Sequence, residues 1–385
     1  MNRRHFLAAG GLTAAVPLLA QAIAADVPAA VVPGLFTQVN FTSDGLALSP
    51  AEYAARLQEM VANKDMRADN YALGGAVTEL EQTFARLLGK PAAMFVPTGT
   101  LANHLAIRQL AGQDRRVLVQ AESHLYNDSG DCAQTLSGLN LIALGEGQGG
   151  FDLADVERVV QRSAGGRVAA RIGVISIENP VRRRDHAMLD FAELQRVCVY
   201  ARAQGIRLHL DGARLFNLPL HCGRSVRDYS ALFDTVYVSV WKHFNGASGA
   251  ILAGEADFVE GLFHQRRMFG GSLPQAWPQI AMVAQYAERY EAEYAQSWQV
   301  AEQVIERLQT DSRFSFRKIQ NGTSRLFMKV NGVAGEAFVQ RAQRHSVIVA
   351  RPHPESGEYV LQINPSLLRR SADAIKQALI DAASG

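Results

Sequence analysis

A lysine and an aspartate each follow an apolar segment in the middle of the chain. Asp211 ends IRLHLD within HLDGARLFN, and Lys242 follows VYVSVW and precedes a run of small residues. Either charge is costly to bury without a partner. A lysine in a partly dry site has a lowered pKa and can form a Schiff base with an aldehyde, whereas a lysine at a strand end is by itself an ordinary surface residue. The pair therefore indicates carbonyl chemistry.

A phosphate site is predicted in FVPTGTLANH. Thr98, Gly99 and Thr100 lie between an apolar segment and a helix start, where backbone N–H groups, hydroxyls and the positive helix end can face an anion. Alone, this turn is typical of an ordinary N-cap. Together with Lys242 and Asp211 it suits pyridoxal phosphate, because the lysine can hold the aldehyde while the carboxylate keeps the pyridine nitrogen protonated.

The elements that must position these residues alternate between helices and strands. From about residue 77, amphipathic helical patterns alternate with short apolar segments, which predicts an α/β domain with a mostly parallel sheet. Strands are predicted in AAMFV and at residues 116–120, 172–178, 206–211, 235–241 and 249–254. Ligands of such sheets bind outside the carboxyl ends of the strands. We therefore expect the residues after these strands to meet at one edge.

The pattern changes near residue 285, where a long amphipathic helix leads into a mixed tail. RFSFRKI, SRLFMKV, SVIVAR and EYVLQIN read as strands, and a closing helix is predicted at 371–382, which together indicate a smaller α+β domain. The predicted organisation is an export signal at 1–24, an N-terminal segment at 35–60, a large domain at 61–285 and a small C-terminal domain at 286–385. No repeat or low-complexity linker separates the two domains, so we expect them to pack closely.

The N-terminus, MNRRHFLAAGGLTAAVPLLAQAIAA, resembles a twin-arginine export signal. Arg3 and Arg4 precede an apolar stretch, and small residues at 22–24 form a cleavage site. The alternative is an uncleaved membrane anchor, but the apolar stretch contains Pro17 and falls short of the roughly 20 residues of a spanning helix. The signal predicts a mature protein exported to a bacterial periplasm, with no membrane span.

Composition points to a small-molecule partner. The chain has 385 residues, 48% of them hydrophobic, and 39 basic against 37 acidic residues give a formal net charge of +2. This balance gives no electrostatic footprint for nucleic acid or an acidic membrane. Cys132, Cys198 and Cys222 form no disulfide framework, and we expect three buried thiols.

The motifs carry a family resemblance. HLDGARLFN and FVPTGTLAN, the latter similar to FVPSGTMAN, resemble the threonine aldolase members of the aromatic amino acid β-eliminating lyase/threonine aldolase family. GKPAAMF, Tyr71 followed by VTELE, and MFGG are weaker supports, and the similarity runs from FTSDGLALSP at 41 to the small domain. The resemblance implies a fold-type-I, pyridoxal-phosphate-dependent transferase-like large domain with a mostly parallel sheet, plus a smaller α+β C-terminal domain.

The resemblance also implies roles for particular residues. His124 would stack on the cofactor ring, and Arg214, assisted by Ser43, would bind the substrate carboxylate through a bidentate contact. The charges of Asp211 and Arg214 would then each be neutralised by a ligand; an Asp211–Arg214 salt bridge is the alternative. The implied catalytic residues are Lys242, His124 and Asp211, and the implied cofactor-binding residues are Thr98, Gly99, Thr100, His124, Asp211 and Lys242. No metal is implied.

The chain departs from the family on the substrate side. ENPVRRRDH stands where the family commonly has ENTHN, so that Val181 replaces a histidine, and HFNGASG follows Lys242 in place of GLGAPVG. The family's C-terminal arginine is replaced by Val360 or Leu361, and Arg325 or Arg351 could take over its contact. These changes leave the cofactor site whole and alter the substrate site.

Three functions are compatible with these residues. The first is a lyase that cleaves the Cα–Cβ bond of a β-hydroxy-α-amino acid to glycine and an aldehyde. The second is β-elimination, which gives pyruvate and ammonia, and the third is a non-catalytic periplasmic amino-acid-binding protein on the same fold. The resemblance further implies a homodimer or homotetramer.

Overall fold

Apolar segments of the chain pair into three sheets. The structure, a computed structural model, describes residues 34–63, 66–168 and 170–384. Within these ranges the strands are β1 (Val39–Asn40), β2 (Ala92–Val96), β3 (Arg116–Gln120), β4 (Asn140–Leu144), β5 (Ile172–Glu178), β6 (Arg207–Asp211), β7 (Thr235–Ser239), β8 (Ala250–Gly254), β9 (Phe314–Lys318), β10 (Arg325–Val330), β11 (Val347–Ile348) and β12 (Tyr359–Gln362). The sheet orders are β2-β8-β7-β6-β5-β3-β4, β12-β10-β9 and β1-β11.

The seven-stranded sheet is mostly parallel, as the alternating pattern predicts. Strands β3 to β7 pair in parallel, and β8 runs antiparallel to both β7 and β2. The carboxyl ends of six strands and the start of β8 therefore lie at one edge of the sheet. Strand β4 escaped prediction because it is an edge strand in which only Leu144 is buried, so its apolar pattern is weak.

Amphipathic helices cover the sheet. The longer ones are Pro50–Asn63, Gly75–Leu88, Gly99–Ala111, Leu153–Ala164, Phe191–Ala203, Tyr290–Leu308, Gly335–Arg344 and Ala372–Ser384. Shorter helices lie at His124–Asn127, Cys132–Ser137, Leu218–Cys222, Val226–Ser230, Ala256–Gly261, Phe263–Met268, Trp277–Ile280 and Val283–Tyr286. In Gly75–Leu88 the residues Val77, Leu80, Phe84 and Leu88 recur at helical spacing and are buried, and Gly89 ends the helix at φ 65°.

The C-terminal part of the chain has an apolar core of its own. Strands β9, β10 and β12 form an antiparallel sheet against the last two long helices. The Tyr290–Leu308 helix joins the two cores, because Tyr290 and Tyr294 pack in the core of the large sheet while Val304 and Leu308 pack in the second. From Leu35 onward the chain forms one compact unit, and a domain division at residue 285 stays a prediction.

The segment SVIVAR departs from its prediction. Only Val347–Ile348 forms a strand, and it pairs in parallel with β1 near the N-terminus instead of joining the β12-β10-β9 sheet. Backbone N–H groups of Val39 and Phe41 donate to the carbonyls of Ser346 and Ile348. The N-terminal segment is thereby attached to the C-terminal part of the chain, a long-range pairing that local sequence patterns do not encode.

The prediction of three buried thiols is wrong. Cys198 is buried, but Cys132 is half-buried and Cys222 is exposed, and all three are free. Cys222 follows a buried apolar segment, and this sequence context favoured a buried thiol. In the structure Cys222 ends a short helix whose last turn faces outward, so its thiol is exposed.

The predicted export signal at 1–24 lies outside the described residues. Among those that the structure describes, no helix is long and apolar enough to cross a membrane. Export therefore stays a prediction from sequence.

Candidate active site

The strand ends of the large sheet open on one cavity, as the strand pattern predicts. Its lining comprises Thr98, Gly99, Thr100, His124, Glu178, Arg182, Asp211, Ala213, Arg214, Tyr237, Trp241, Lys242 and Ser248. Seven of the eight residues proposed from sequence are among these. Ser43 is the exception.

The TGT turn sits at the start of a long helix. Thr98 is the N-cap of Gly99–Ala111, and its Oγ1 accepts a hydrogen bond from the Leu101 N–H at 3.2 Å. The helix begins at Gly99, inside the turn predicted to precede it. Sterics require glycine at position 99, because a Cβ there would collide with the Tyr237 hydroxyl. The first N–H groups of the helix and its positive end border the cavity, which is the arrangement that binds phosphate.

Asp211 ends β6 and is held by two neutral donors. Its Oδ2 accepts from Asn103 Nδ2 at 2.6 Å, and its Oδ1 accepts from the Ala213 N–H at 3.1 Å. The residue is only 4% exposed. Asp211 forms no ion pair among the described residues, although its charge acts on Lys242 in the same cavity and raises the pKa of that amine.

Lys242 lies three residues beyond β7 and is almost fully buried. Burial, with the charge of Arg214 second, lowers the pKa of its amine to about 8, although Asp44 and Asp211 act in the opposite direction. Its Nζ lies 5.4 Å from the centre of the Trp241 ring. At pH 7 about one amine in ten is therefore unprotonated, far more than for a solvent-exposed lysine.

The N-terminal loop, residues 42–46, packs directly on the segment that carries Lys242. Gly45 lies so close to the Lys242 carbonyl that a Cβ there would collide with it. Asn245 Oδ1 accepts a hydrogen bond from the Leu46 N–H at 2.8 Å. The replacement of the family's small residues by HFNGASG thus provides an anchor for this loop.

Arg214 is paired with Asp44 of the N-terminal loop. Its Nε and Nη2 donate to Asp44 Oδ1 and Oδ2 at 2.7 and 2.8 Å, and Gln362 Nε2 also donates to Oδ1. Burial alone would raise the pKa of Asp44, but the charge and hydrogen bonds of Arg214 hold that pKa well below its usual value. Arg214 is therefore already paired within the chain, its contact with a substrate carboxylate stays a prediction, and the alternative Asp211–Arg214 bridge is absent from the described residues.

Ser43 makes one hydrogen bond within its own loop and one to a side chain far along the sequence. Its Oγ accepts from the Gly45 N–H at 3.4 Å, and its carbonyl accepts from Asn364 Nδ2 at 2.8 Å. The proposed role of Ser43 at the substrate carboxylate stays a prediction. The neighbouring Asp44 was overlooked, although an acidic residue next to a proposed carboxylate-binding serine is a signal for a paired arginine.

Glu178 was also overlooked. It is the last residue of β5, and its carboxylate accepts from the backbone N–H groups of His124 at 2.6 Å and Arg182 at 2.8 Å. Burial, followed by the charge of Asp211 in the neighbouring strand, raises the pKa of Glu178 to about 7. The carboxylate thereby joins two cavity loops, and its position at a strand end was the signal that could have identified it.

His124 begins a short helix beside this carboxylate. Ser123 is the N-cap of that helix, and His124 Nδ1 lies 3.4 Å from Ser129 Oγ. Burial lowers the pKa of His124, so the imidazole is neutral at pH 7. A neutral ring at the cavity wall can stack on a planar ligand or accept a proton.

The two arginines proposed to replace the family's C-terminal arginine occupy different surroundings. Arg325 lies near the cavity, with its Nε 3.4 Å from Gln362 Oε1 and its Nη1 3.5 Å from Asp185 Oδ1. Arg351 is exposed and pairs with Glu336. Only Arg325 stands beside the Asp44–Arg214 pair, through the shared Gln362.

This fold and cavity define a fold-type-I enzyme of the pyridoxal-phosphate-dependent kind. A serine palmitoyltransferase of Sphingomonas wittichii has the same fold, with a TM-score of 0.63 at 16% identity over 90% of this chain and 86% of that one. The chain belongs to the beta-eliminating lyase family, whose model matches residues 40–331.

Proteins similar to this chain include threonine aldolases. The chain is 30% identical to a low specificity L-threonine aldolase of Saccharomyces cerevisiae over 62% of its length and 59% of that protein. A candidate L-allo-threonine aldolase of Listeria monocytogenes is 25% identical, with a TM-score of 0.73 over 90% of this chain and 96% of that one. The aligned part of the yeast protein is less than two thirds of its length.

Proposed function

We propose that the protein is a pyridoxal-phosphate-dependent lyase that cleaves the Cα–Cβ bond of a β-hydroxy-α-amino acid to glycine and an aldehyde. The supporting observation is that Lys242, with its lowered pKa, Asp211, without a cationic partner, and the TGT helix start line one cavity. The family and its threonine aldolase relatives favour the same reaction.

The donor set fits the cofactor. Thr98, Gly99 and Thr100 can hold its phosphate, Asp211 its ring nitrogen and Lys242 its aldehyde. When bound, pyridoxal phosphate supplies an electron sink for the negative charge that develops at Cα. Glycine at position 99 lets the turn pack directly against Tyr237 of the cavity wall, where a Cβ would collide with the hydroxyl.

The remaining cavity residues orient the substrate and move its protons. Arg214 faces the cavity and can share its guanidinium between Asp44 and a substrate carboxylate. Bond cleavage needs a group that takes the hydroxyl proton, and such a group works best with a pKa near the working pH. Glu178, with a pKa of about 7, and neutral His124 are the two candidates at the cavity wall.

Product analysis tests this function. The cofactor-loaded enzyme is incubated with L-threonine, L-allo-threonine, phenylserine and cysteine, and glycine, aldehyde, pyruvate and ammonia are measured. We expect glycine and aldehyde, and none from Lys242→Ala. The matched control is Lys90→Ala, which removes a half-buried lysine that donates to the Phe233 carbonyl at 2.6 Å outside the cavity.

Two other results contradict the proposal. Pyruvate and ammonia without glycine would assign β-elimination, the reaction in the family's name. Amino acid binding without any product would favour a non-catalytic binding protein.

We further propose that the protein is exported by its twin-arginine signal and assembles as a homodimer or homotetramer. Export is supported by Arg3 and Arg4 ahead of an apolar stretch.

Cell fractionation of the natural chain and of an Arg3→Lys/Arg4→Lys variant tests export, and sedimentation of the mature chain tests assembly. Retention of both chains in the cytoplasm, or a monomer, would contradict the respective part.

A further inference from the structure

A chain of buried polar side chains lies beneath Asp211. Thr235 Oγ1 is 2.8 Å from His209 Nδ1, His209 Nε2 is 2.9 Å from Asn103 Oδ1, and Asn103 Nδ2 is 2.6 Å from Asp211 Oδ2. All four residues are at most 4% exposed. His209 precedes Asp211 on β6, and Thr235 is its direct neighbour on β7.

The hydrogen bonds of this chain permit one arrangement when Asp211 is ionised. A carboxylate only accepts, so Asn103 must donate through Nδ2 and accept through Oδ1. His209 must then carry its proton on Nε2, which leaves Nδ1 to accept from the Thr235 hydroxyl. Burial lowers the pKa of His209 to about 4, so the ring is neutral and brings no cation to Asp211.

The chain also connects two halves of the proposed cofactor site. Asn103 is four residues beyond Gly99, on the same face of the helix that begins at the TGT turn. It therefore links the phosphate end of the site, through one amide, to the carboxylate at the other end. The cluster thus ends on Asp211, one of the two carboxylates that line the cavity, and reaches it through a side-chain amide.

We propose that Asn103, His209 and Thr235 are positioning residues that fix the orientation of the Asp211 carboxylate toward the cofactor's ring nitrogen. This proposal rests on the proposed function for the identity of the cofactor. None of the three residues lines the cavity, so they act through Asp211 and not on the substrate.

The test compares Thr235→Val, which removes the hydroxyl at similar size, with Thr235→Ser, which keeps it, and adds Asn103→Ala. For each we would measure the Kd for pyridoxal phosphate by titration of the apoprotein, the visible absorption of the bound cofactor against pH, kcat, KM and the unfolding midpoint. We expect Asn103→Ala to lower kcat about 10- to 100-fold and to weaken cofactor binding about tenfold, the size typical of residues that orient a ligand-binding group. KM should change less than about threefold.

The threonine pair keeps the proposal falsifiable if Asn103→Ala does not fold. Thr235→Val should lower kcat about threefold to tenfold and shift the pH profile of the absorption band, while Thr235→Ser stays near the natural chain. A lower unfolding midpoint in Thr235→Val with unchanged Kd, kcat and absorption profile would overturn the proposal in favour of a structural role. If the natural chain binds the cofactor but releases no glycine, the proposed reaction fails, yet Kd and the absorption profile still decide the positioning role.

Discussion

Two charges of HLDGAR, three positions apart, are balanced in different ways. Asp211 accepts hydrogen bonds from the neutral amides of Asn103 and Ala213 and has no cationic partner among the described residues. Arg214 is bound through two hydrogen bonds to the carboxylate of Asp44. On the proposed cofactor side of the cavity Asp211 thus forms no ion pair, whereas on the proposed substrate side Arg214 is already paired with Asp44.

Asp211 is therefore available to pair with a cationic ligand, whereas Arg214 must divide its hydrogen bonds between Asp44 and a ligand. A buried carboxylate with only neutral donors gains most when a cation arrives, as a protonated ring nitrogen would. A substrate carboxylate at Arg214, in contrast, meets a guanidinium that Asp44 partly occupies. Cofactor binding and substrate binding should therefore respond in opposite ways to removal of the nearby acids.

The largest effect is expected for Asp211→Asn. The change keeps the size of the side chain but removes the charge that would hold the ring nitrogen protonated and replaces one of the two accepting oxygens with an NH2 group, so kcat should fall about 10²- to 10³-fold. Steady-state glycine release measures this fall in kcat. The matched control is Asp234→Asn at the opposite edge of the sheet, where the carboxylate accepts from the Leu208 N–H at 2.7 Å. Equal losses in both variants would contradict a charge-specific role.

The next effect concerns the Asp44–Arg214 pair. Arg214→Met removes the guanidinium proposed to bind the substrate carboxylate, so KM should rise at least about tenfold. The same change leaves the Asp44 carboxylate buried without its cation, so the free energy of unfolding should fall by about 3–5 kcal/mol. Asp44→Asn frees Arg214 and should lower KM about threefold despite lower stability. Kinetics and urea unfolding check both. An unchanged KM in Arg214→Met would remove Arg214 from the site, and a KM that rises in Asp44→Asn would show that Asp44 positions Arg214 and does not compete with the substrate.

Cofactor capture should depend on pH through Lys242. Burial lowers the pKa of this amine to about 8, and only the unprotonated amine attacks an aldehyde. The rate of capture by the apoprotein should therefore rise about eightfold between pH 6.5 and 7.5 and level off above about pH 8.5. Stopped-flow absorbance measures this rate. A rise that continues to pH 10 would mean that the amine keeps its ordinary pKa.

The smallest effect separates Arg325 from Arg351. Arg325 lies beside Gln362, which also contacts Asp44, so Arg325→Met should raise KM about threefold to tenfold. Arg351→Met removes an exposed arginine paired with Glu336 and should leave KM unchanged. Substrate saturation curves decide between them. The reverse order would place the substrate carboxylate elsewhere.

The cofactor half of the site was predictable because it depends on local order. Lys242, Asp211 and the TGT turn each follow an apolar strand, and parallel strands bring such positions to one edge. The partner of Arg214 was not predictable in this way, because Asp44 is 170 residues away and reaches the site through the N-terminal loop. Likewise, SVIVAR pairs with β1 across most of the chain, which no local pattern specifies.

The most direct test of the account is titration of the mature apoprotein with pyridoxal phosphate, followed by visible absorbance, for the natural chain, Lys242→Ala and Lys90→Ala. The account predicts a saturable band of one cofactor per chain in the natural protein and in Lys90→Ala, and no such band in Lys242→Ala. A natural chain without the band, or a band that persists in Lys242→Ala, would contradict the assignment of this cavity as the cofactor site.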